Sequence, residues 1–181
     1  MGENGAGKTT LMIIISGLYQ TNNGQIYLEN KTVHITSANT AIKLGIGMIH
    51  KPFMLVPQLI VTENIILGID KNWSLNIKHK HQKIADLSNS YGLEMNPEIK
   101  VGDLPVGTQQ RVEILKVLYR QAKLLILDEP TAVLTPLEVK SLIKILRQLA
   151  AAGNTIIFIS HKLEEIINLC DTVTVLRRGK V

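Results

Sequence analysis

The sequence predicts an α/β fold built on a mostly parallel core sheet, with a helical stretch, residues 52–121, set into it as a subdomain. Three observations lead there. The chain opens on Gly2-Glu3-Asn4-Gly5-Ala6-Gly7-Lys8-Thr9, which fits the G-x-x-x-x-G-K-[ST] pattern of a phosphate-binding loop running into a helix. Its last third alternates helical segments with apolar runs at residues 124–127 and, led by Thr155, at 155–159, the mark of strands buried in a parallel sheet. The stretch between is polar and helical instead.

Composition sets outer limits. A chain of 181 residues suffices for one domain with a subdomain, and at 45% hydrophobic it can build a globular core. Only 4% is aromatic, too little for the stacking platform of a single-strand binder, and nucleic acid is not an expected partner. Unbroken apolar runs reach about five residues against the ~20 that span a bilayer, so the chain reads as soluble or peripheral. Cys170 is the only cysteine and excludes an internal disulfide, which suits a reducing cytosol. The net charge of +5 can favour anionic membrane surfaces or nucleic acid, and reads first as a solvated surface. No apolar segment follows Met1, so the start is not read as a secretion signal. Ala6 stands where a myristoylation motif needs Ser or Thr.

Taken in order, the glycines of the opening loop allow a tight bend that points successive N–H groups at an anion. Lys8 is placed to reach β- and γ-phosphates, and the Thr9 hydroxyl to ligate Mg²⁺. A helix over residues 8 to about 18 turns its positive end to the phosphates. Such a loop normally follows a strand, and only Met1 precedes it. The expectation is that this strand is missing, that Gly2 frays, and that the strands carrying Asp128 and Ser160 present open edges. Residues 21–24 turn, 25–29 alternate as a strand, and Asn30-Lys31 leads back towards Val33 and Ile35. Ser37 caps a short helix through Leu44, stopped by Gly45, and residues 46–50 form an apolar strand.

Residues 51–57 read as a loop, and Thr62 as the cap of a helix beginning at Glu63. A polar helix follows from about 74 to 91, ended by Gly92. Its His79 and His81 lie two apart, on different faces, and read as solvated side chains rather than a metal pair. Residues 103–107 lead into a helix from Gln109 to about Gln121. After the strand at 124–127, Pro136 opens a helix through Ala152 that Gly153 stops. The second buried strand, a helix at 163–169, a strand at 172–176 and a turn at Arg178-Gly179 complete the chain.

Two further signals carry chemistry. Asp128 emerges at the end of an apolar strand, where it can hold Mg²⁺ through water, and Glu129 follows, placed to take a proton from an attacking water. His161 comes just after the second buried strand, where a neutral imidazole could bond a γ-phosphate.

These three signals in this order resemble the nucleotide-binding domain of an ATP-binding-cassette (ABC) transporter, a P-loop NTPase. Leu104-Pro105-Val106-Gly107-Thr108-Gln109-Gln110-Arg111 resembles the family's signature motif. Gly45-Ile46-Gly47-Met48-Ile49-His50, Thr62-Glu63-Asn64-Ile65 and Glu129-Pro130-Thr131-Ala132-Val133-Leu134-Thr135-Pro136 resemble the sugar/nucleoside importer branch, and its first cassette in particular. The resemblance implies ATP and Mg²⁺ as cofactors. It implies Asn4, Gly5, Ala6, Gly7, Lys8, Thr9 and Thr10 on the phosphates, and Thr9 with Asp128 on the metal. Lys51 would stand near the γ-phosphate, and Glu129 and His161 would act in catalysis. Leu104, Pro105, Val106, Gly107 and Gln109 would face the nucleotide of a second cassette paired head to tail. Membrane permease subunits and, indirectly, a solute-binding protein are the implied partners, at the cytoplasmic face of the membrane. Hydrolysis would energise import of a sugar- or nucleoside-type solute.

Four departures from the family pattern stand out. The strands before the phosphate loop are absent, with the aromatic residue that stacks on adenine. Lys51 replaces the Gln of the Q-loop, and an ammonium cannot ligate a cation. Pro105 replaces the signature Ser, removing a hydroxyl and a backbone N–H, though proline is also tolerated where a helix opens. The chain stops at Val181, short of the family's usual end. These features keep a second reading open: a degenerate or truncated cassette that binds ATP weakly without hydrolysing it, a structural or regulatory partner or a gene remnant. A DNA-repair or chromosome-organising ATPase of the same superfamily would need long heptad arms, and no sustained heptads occur.

Overall fold

The computed structural model describes residues 1–3, 5–51, 53–69 and 76–181. Helix α1 (Lys8–Ile15) follows the opening loop and stops earlier than the expected Leu18. The cause is Gly17, left-handed at φ 76°: its N–H donates to the Ile14 carbonyl and that of Leu18 to the Ile13 carbonyl, both at 3.0 Å, closing the helix as a Schellman turn. Strands β1 (Ile26–Leu28) and β2 (Lys31–Val33) form an antiparallel hairpin. Glu29 and Asn30 turn it with positive φ, as a two-residue type I′ connection requires. Helix α2 (Ala38–Lys43) starts where Ser37 Oγ accepts the Thr40 N–H, and β3 (Ile46–Ile49) follows.

Between β3 and the next core strand the chain inserts α3 (Val61–Ile66), α4 (Ile77–Ser90), a 3-10 turn (Val101–Asp103) and α5 (Val106–Tyr119). Thr62 does not cap α3. It lies inside the helix, and its hydroxyl donates to the Pro97 carbonyl at 3.1 Å; the Glu63 carboxylate takes the Ile60 N–H instead. The expected onset of α4 near residue 74 lies outside the described residues, but its end at Gly92 is as expected. Helix α5 starts at Val106 rather than Gln109, because Pro105, at φ −56° and ψ 150°, is its N-cap. Then come β4 (Leu124–Asp128), α6 (Pro136–Ala151), β5 (Thr155–Ile159) and α7 (Leu163–Leu169).

The core sheet is parallel, in the order β3-β4-β5. Strand β4 is central and flanked on both sides, so the expected open edge on the strand of Asp128 does not exist. Its two faces feed two apolar clusters. Leu125 and Leu127 point into a cluster with Val112, Leu115, Leu146 and Leu149, and Ile126 into another with Met12, Ala41 and Ile159. The first cluster continues through Val61, Ile65, Ile84 and Leu93, so the inserted helices share a core with the sheet.

The strand expected over residues 172–176 does not form: Thr172 lies in a bend and 173–176 have no regular structure, their backbone being used elsewhere. They hold the start of the chain: the Met1 ammonium donates to the Thr174 carbonyl at 2.7 Å, and the Leu176 N–H to the Met1 carbonyl at 2.8 Å. Gly179 N–H reaches the Ala6 carbonyl at 3.0 Å. The fraying expected at Gly2 is therefore opposed by three backbone bonds from a segment far away in sequence. Among the described residues, no helix is long and apolar enough to cross a membrane.

Candidate functional site

The opening loop is bent by its glycines. Gly5 sits at φ 80° and Gly7, the N-cap of α1, at φ 96°. The first bond of the helix is Leu11 N–H to the Gly7 carbonyl, at 3.0 Å. The N–H groups of the first turn have no acceptor within the helix and form its positive end. Lys8 folds back over the loop, donating from Nζ to the Gly2 carbonyl at 2.6 Å and to the Glu3 carbonyl at 2.8 Å. It holds the loop in shape with bonds that an anion can replace. Thr9 and Thr10 are exposed, Ala6 is buried, and Asn4 lies outside the described residues. A loop of N–H donors closed by a lysine fits a polyphosphate. The Thr9 hydroxyl and the Asp128 carboxylate are oxygen donors of the kind a hard divalent cation takes.

Just past the ends of β3, β4 and β5 the fold brings three of the expected residues together. Glu129 has φ 45°, an uncommon state for a residue with a side chain, and its N–H is held by the Ile159 carbonyl at 3.0 Å. The backward turn lifts its carboxylate off the strand line. Glu129 Oε1 lies 3.3 Å from His161 Nδ1, and Oε2 lies 3.5 Å from Lys51 Nζ. Burial pushes the Glu129 carboxyl up, but the His161 hydrogen bond and the Lys51 charge outweigh it and hold the group below the ordinary carboxylate range. Lys51 therefore sits beside the expected base, in an ion pair with it.

The segment 104–109 makes local contacts. Gln109 Nε2 donates to the Leu104 carbonyl at 2.9 Å, across Pro105. The sequence reading missed its neighbour Glu138. That carboxylate accepts the Thr135 N–H and hydroxyl, both at 2.8 Å, and lies against Gly107, where any side chain would strike it at 2.5 Å. These bonds, led by the Thr135 N–H, hold Glu138 below the ordinary range. Thr135-x-x-Glu138 is a capping-box pattern and could have been found. So α6 caps itself and sets an anion beside the positive end of α5.

A cavity of about 260 Å³ opens between α2, β3 and α5, with Leu18, Ile42, Met48, Met54 and Val117 on its walls. Glu113, 3% exposed, lines it. Burial pushes this carboxyl up, against the Lys116 ammonium 3.9 Å away. Lys116 Nζ also donates to the Met54 carbonyl at 2.8 Å, tying α5 to the loop that follows Lys51.

In sequence and in fold the chain is similar to known proteins. The family model described as "ABC transporter" matches residues 1–132. The nucleoside import ATP-binding protein NupA of Lactococcus lactis subsp. cremoris is 52% identical over 99% of this chain and 36% of its own length. The guanosine import ATP-binding protein NupO of Bacillus subtilis is 53% identical over the same shares of 99% and 36%. The chain thus spans little more than a third of the length of these curated relatives. The crystal structure of the ADP conformation of MJ1267, an ATP-binding cassette of an ABC transporter, superposes with a TM-score of 0.87 at 25% identity, covering 99% of this chain and 76% of that one.

Proposed function

Because the chain belongs to the ABC transporter family, we propose that it is an ATP-binding and ATP-hydrolysing cassette that energises import of a nucleoside- or sugar-type solute. The observation that carries this reading is the joint presence of the Lys8 loop and the Glu129–His161 pair on neighbouring strand ends. The names of the relatives favour an importer, and none favours a cassette that has lost hydrolysis.

In this reading the triphosphate takes the place of the Gly2 and Glu3 carbonyls as the partner of Lys8, and the first-turn N–H groups of α1 face its oxygens. Glu129 is the base that receives a proton from the attacking water, and His161 holds the γ-phosphate side of the site. Thr9 and Asp128 would hold Mg²⁺, which would supply charge neutralisation at the phosphate oxygens. Catalysis by these groups is positioning and electrostatic stabilisation. A second cassette is the proposed partner of Leu104, Pro105, Val106, Gly107 and Gln109. The cytoplasmic part of a permease is the proposed occupant of the apolar cavity beside Met48 and Met54, with residues 52–121 as the moving subdomain. The chain would then work at the cytoplasmic face of the membrane, and a solute-binding protein would act only through the permease.

ATP turnover and ATP binding, measured on the chain and on Glu129→Gln, test this. The variant should keep nucleotide affinity and lose turnover by about a hundredfold or more. Failure of the unaltered chain to bind ATP would end the reading.

A further inference from the structure

Glu129 and His161 stand on two different turns, and both turns are fastened to one buried carboxylate. Glu165, in the first turn of α7, is 5% exposed. Its Oε2 accepts the hydroxyls of Thr131 and Ser160, each at 2.8 Å. Both donors are 2% exposed. Its Oε1 lies 3.1 Å from Lys162 Nζ. Lys162 closes the network, donating its N–H to Ser160 Oγ at 3.0 Å and reaching the Thr131 carbonyl with its ammonium at 3.5 Å. Thr131 follows Glu129 by two residues, and Ser160 immediately precedes His161. A buried carboxylate is costly without such donors, and bonds to a charged acceptor are stronger than neutral ones. An apolar side chain would fill the same space under α7 and tie nothing.

We propose that Glu165 is a positioning residue: by gripping Thr131 and Ser160 with one oxygen, it sets the separation of Glu129 and His161. The inference rests on the reading of that pair as the reacting groups. A pin that merely secured α7 would alter stability and leave the pair alone. A bracket between the turns must move the His161 ring when it is cut.

Two readouts separate these roles: the ring C–H signal of His161 in the nucleotide-free protein, by NMR, and kcat against KM for Mg-ATP. Glu165→Ala should shift the ring signal and lower kcat on the order of tenfold to a hundredfold, with KM held within about twofold. Glu165→Gln, which keeps an oxygen for both hydroxyls, should bring the signal and most of kcat back. Ser160→Ala and Thr131→Val each cut one arm and should move both readouts in the same direction by less; they decide the matter if Glu165→Ala does not fold. An unmoved His161 signal in the folded variants overturns the proposal, as does a Glu165→Gln variant as impaired as Glu165→Ala. If the unaltered protein shows no turnover, the functional reading fails and the ring signal still decides the bracket.

Discussion

Replacing Lys51 by Gln should raise Mg²⁺-dependent ATP turnover. In the structure the ammonium is 3.5 Å from Glu129 Oε2, with the two side chains 48% and 26% exposed. At that distance two unit charges interact by about 1 kcal/mol in water and about 5 kcal/mol at an effective dielectric of 20. Half-exposure of Lys51 puts the pair near the lower figure, in the range of roughly 0.2–1 kcal/mol found for exposed pairs. Losing it should therefore lower Tm by no more than about 2–4 °C in a chain of this size. The reaction should feel a change of similar size in the other direction. Removing the charge relieves repulsion of a cation bound beside Asp128, and it lets the Glu129 carboxyl rise towards its ordinary range, making it a stronger base. A gain of about 1 kcal/mol is roughly fivefold in rate. Turnover at saturating ATP over a Mg²⁺ series, on the parent, Lys51→Gln and Lys51→Met, resolves the parts. Met removes the charge alone, and Gln adds an amide oxygen. If both variants turn over no faster than the parent while remaining folded, Lys51 does not restrain the site, and the placement of this loop beside the γ-phosphate is wrong.

Other consequences follow from single contacts. Lys8→Ala should weaken ATP binding by about 2 kcal/mol, the loss of a charge-assisted contact, and a fluorescent ATP analogue binding both forms equally would take Lys8 off the phosphates. Glu113→Gln should raise Tm at neutral pH: burial lifts its folded pKa, so its favourable contribution exists below the unfolded carboxyl value and is lost as pH rises through the folded one. Thermal melts near pH 5 and pH 8 should show the variant's advantage growing with pH. His50 runs the opposite way: burial lowers it, Asp128 draws it up and Lys116 adds to the lowering. Its contribution is present above the ordinary His value of about 6.5 and lost as pH falls through the folded pKa, so His50→Gln should flatten the acid side of the Tm profile. Thr135→Ala should cost about 1 kcal/mol in urea unfolding, because it removes the side-chain half of the α6 cap.

What the sequence showed was whatever a few neighbouring residues decide. Ser37 and Pro136 open helices, Gly92 ends one, and residues 124–127 are a strand buried on both faces, all for local reasons. What it hid depends on distant partners. Thr62 looked like a cap until Pro97 offered its carbonyl, and Gly2 looked frayed until residues 174–176 took the backbone of Met1 beside it. The pairing of Lys51 with Glu129 joins positions on two different strand ends, and no local pattern announces it. Pro105 shows the same boundary from the other side. The sequence offered two meanings for it, a lost donor or a helix start, and the structure shows the helix start. As the N-cap of α5 it stands where a backbone N–H makes no bond within the helix, so the fold loses nothing by its absence. The first N–H of that turn now belongs to Val106, and Glu138 already lies against Gly107. Any deficit caused by Pro105 must then appear between chains, where a second cassette would present its nucleotide to this helix end. Pro105→Ser gains a side-chain N-cap worth about 1 kcal/mol and loses a similar amount as the unfolded chain is freed. It should therefore leave stability within about 1 kcal/mol of the parent while tightening ATP-dependent pairing of cassettes in sedimentation. A Tm shift without a change in pairing would place the effect of Pro105 in the fold after all.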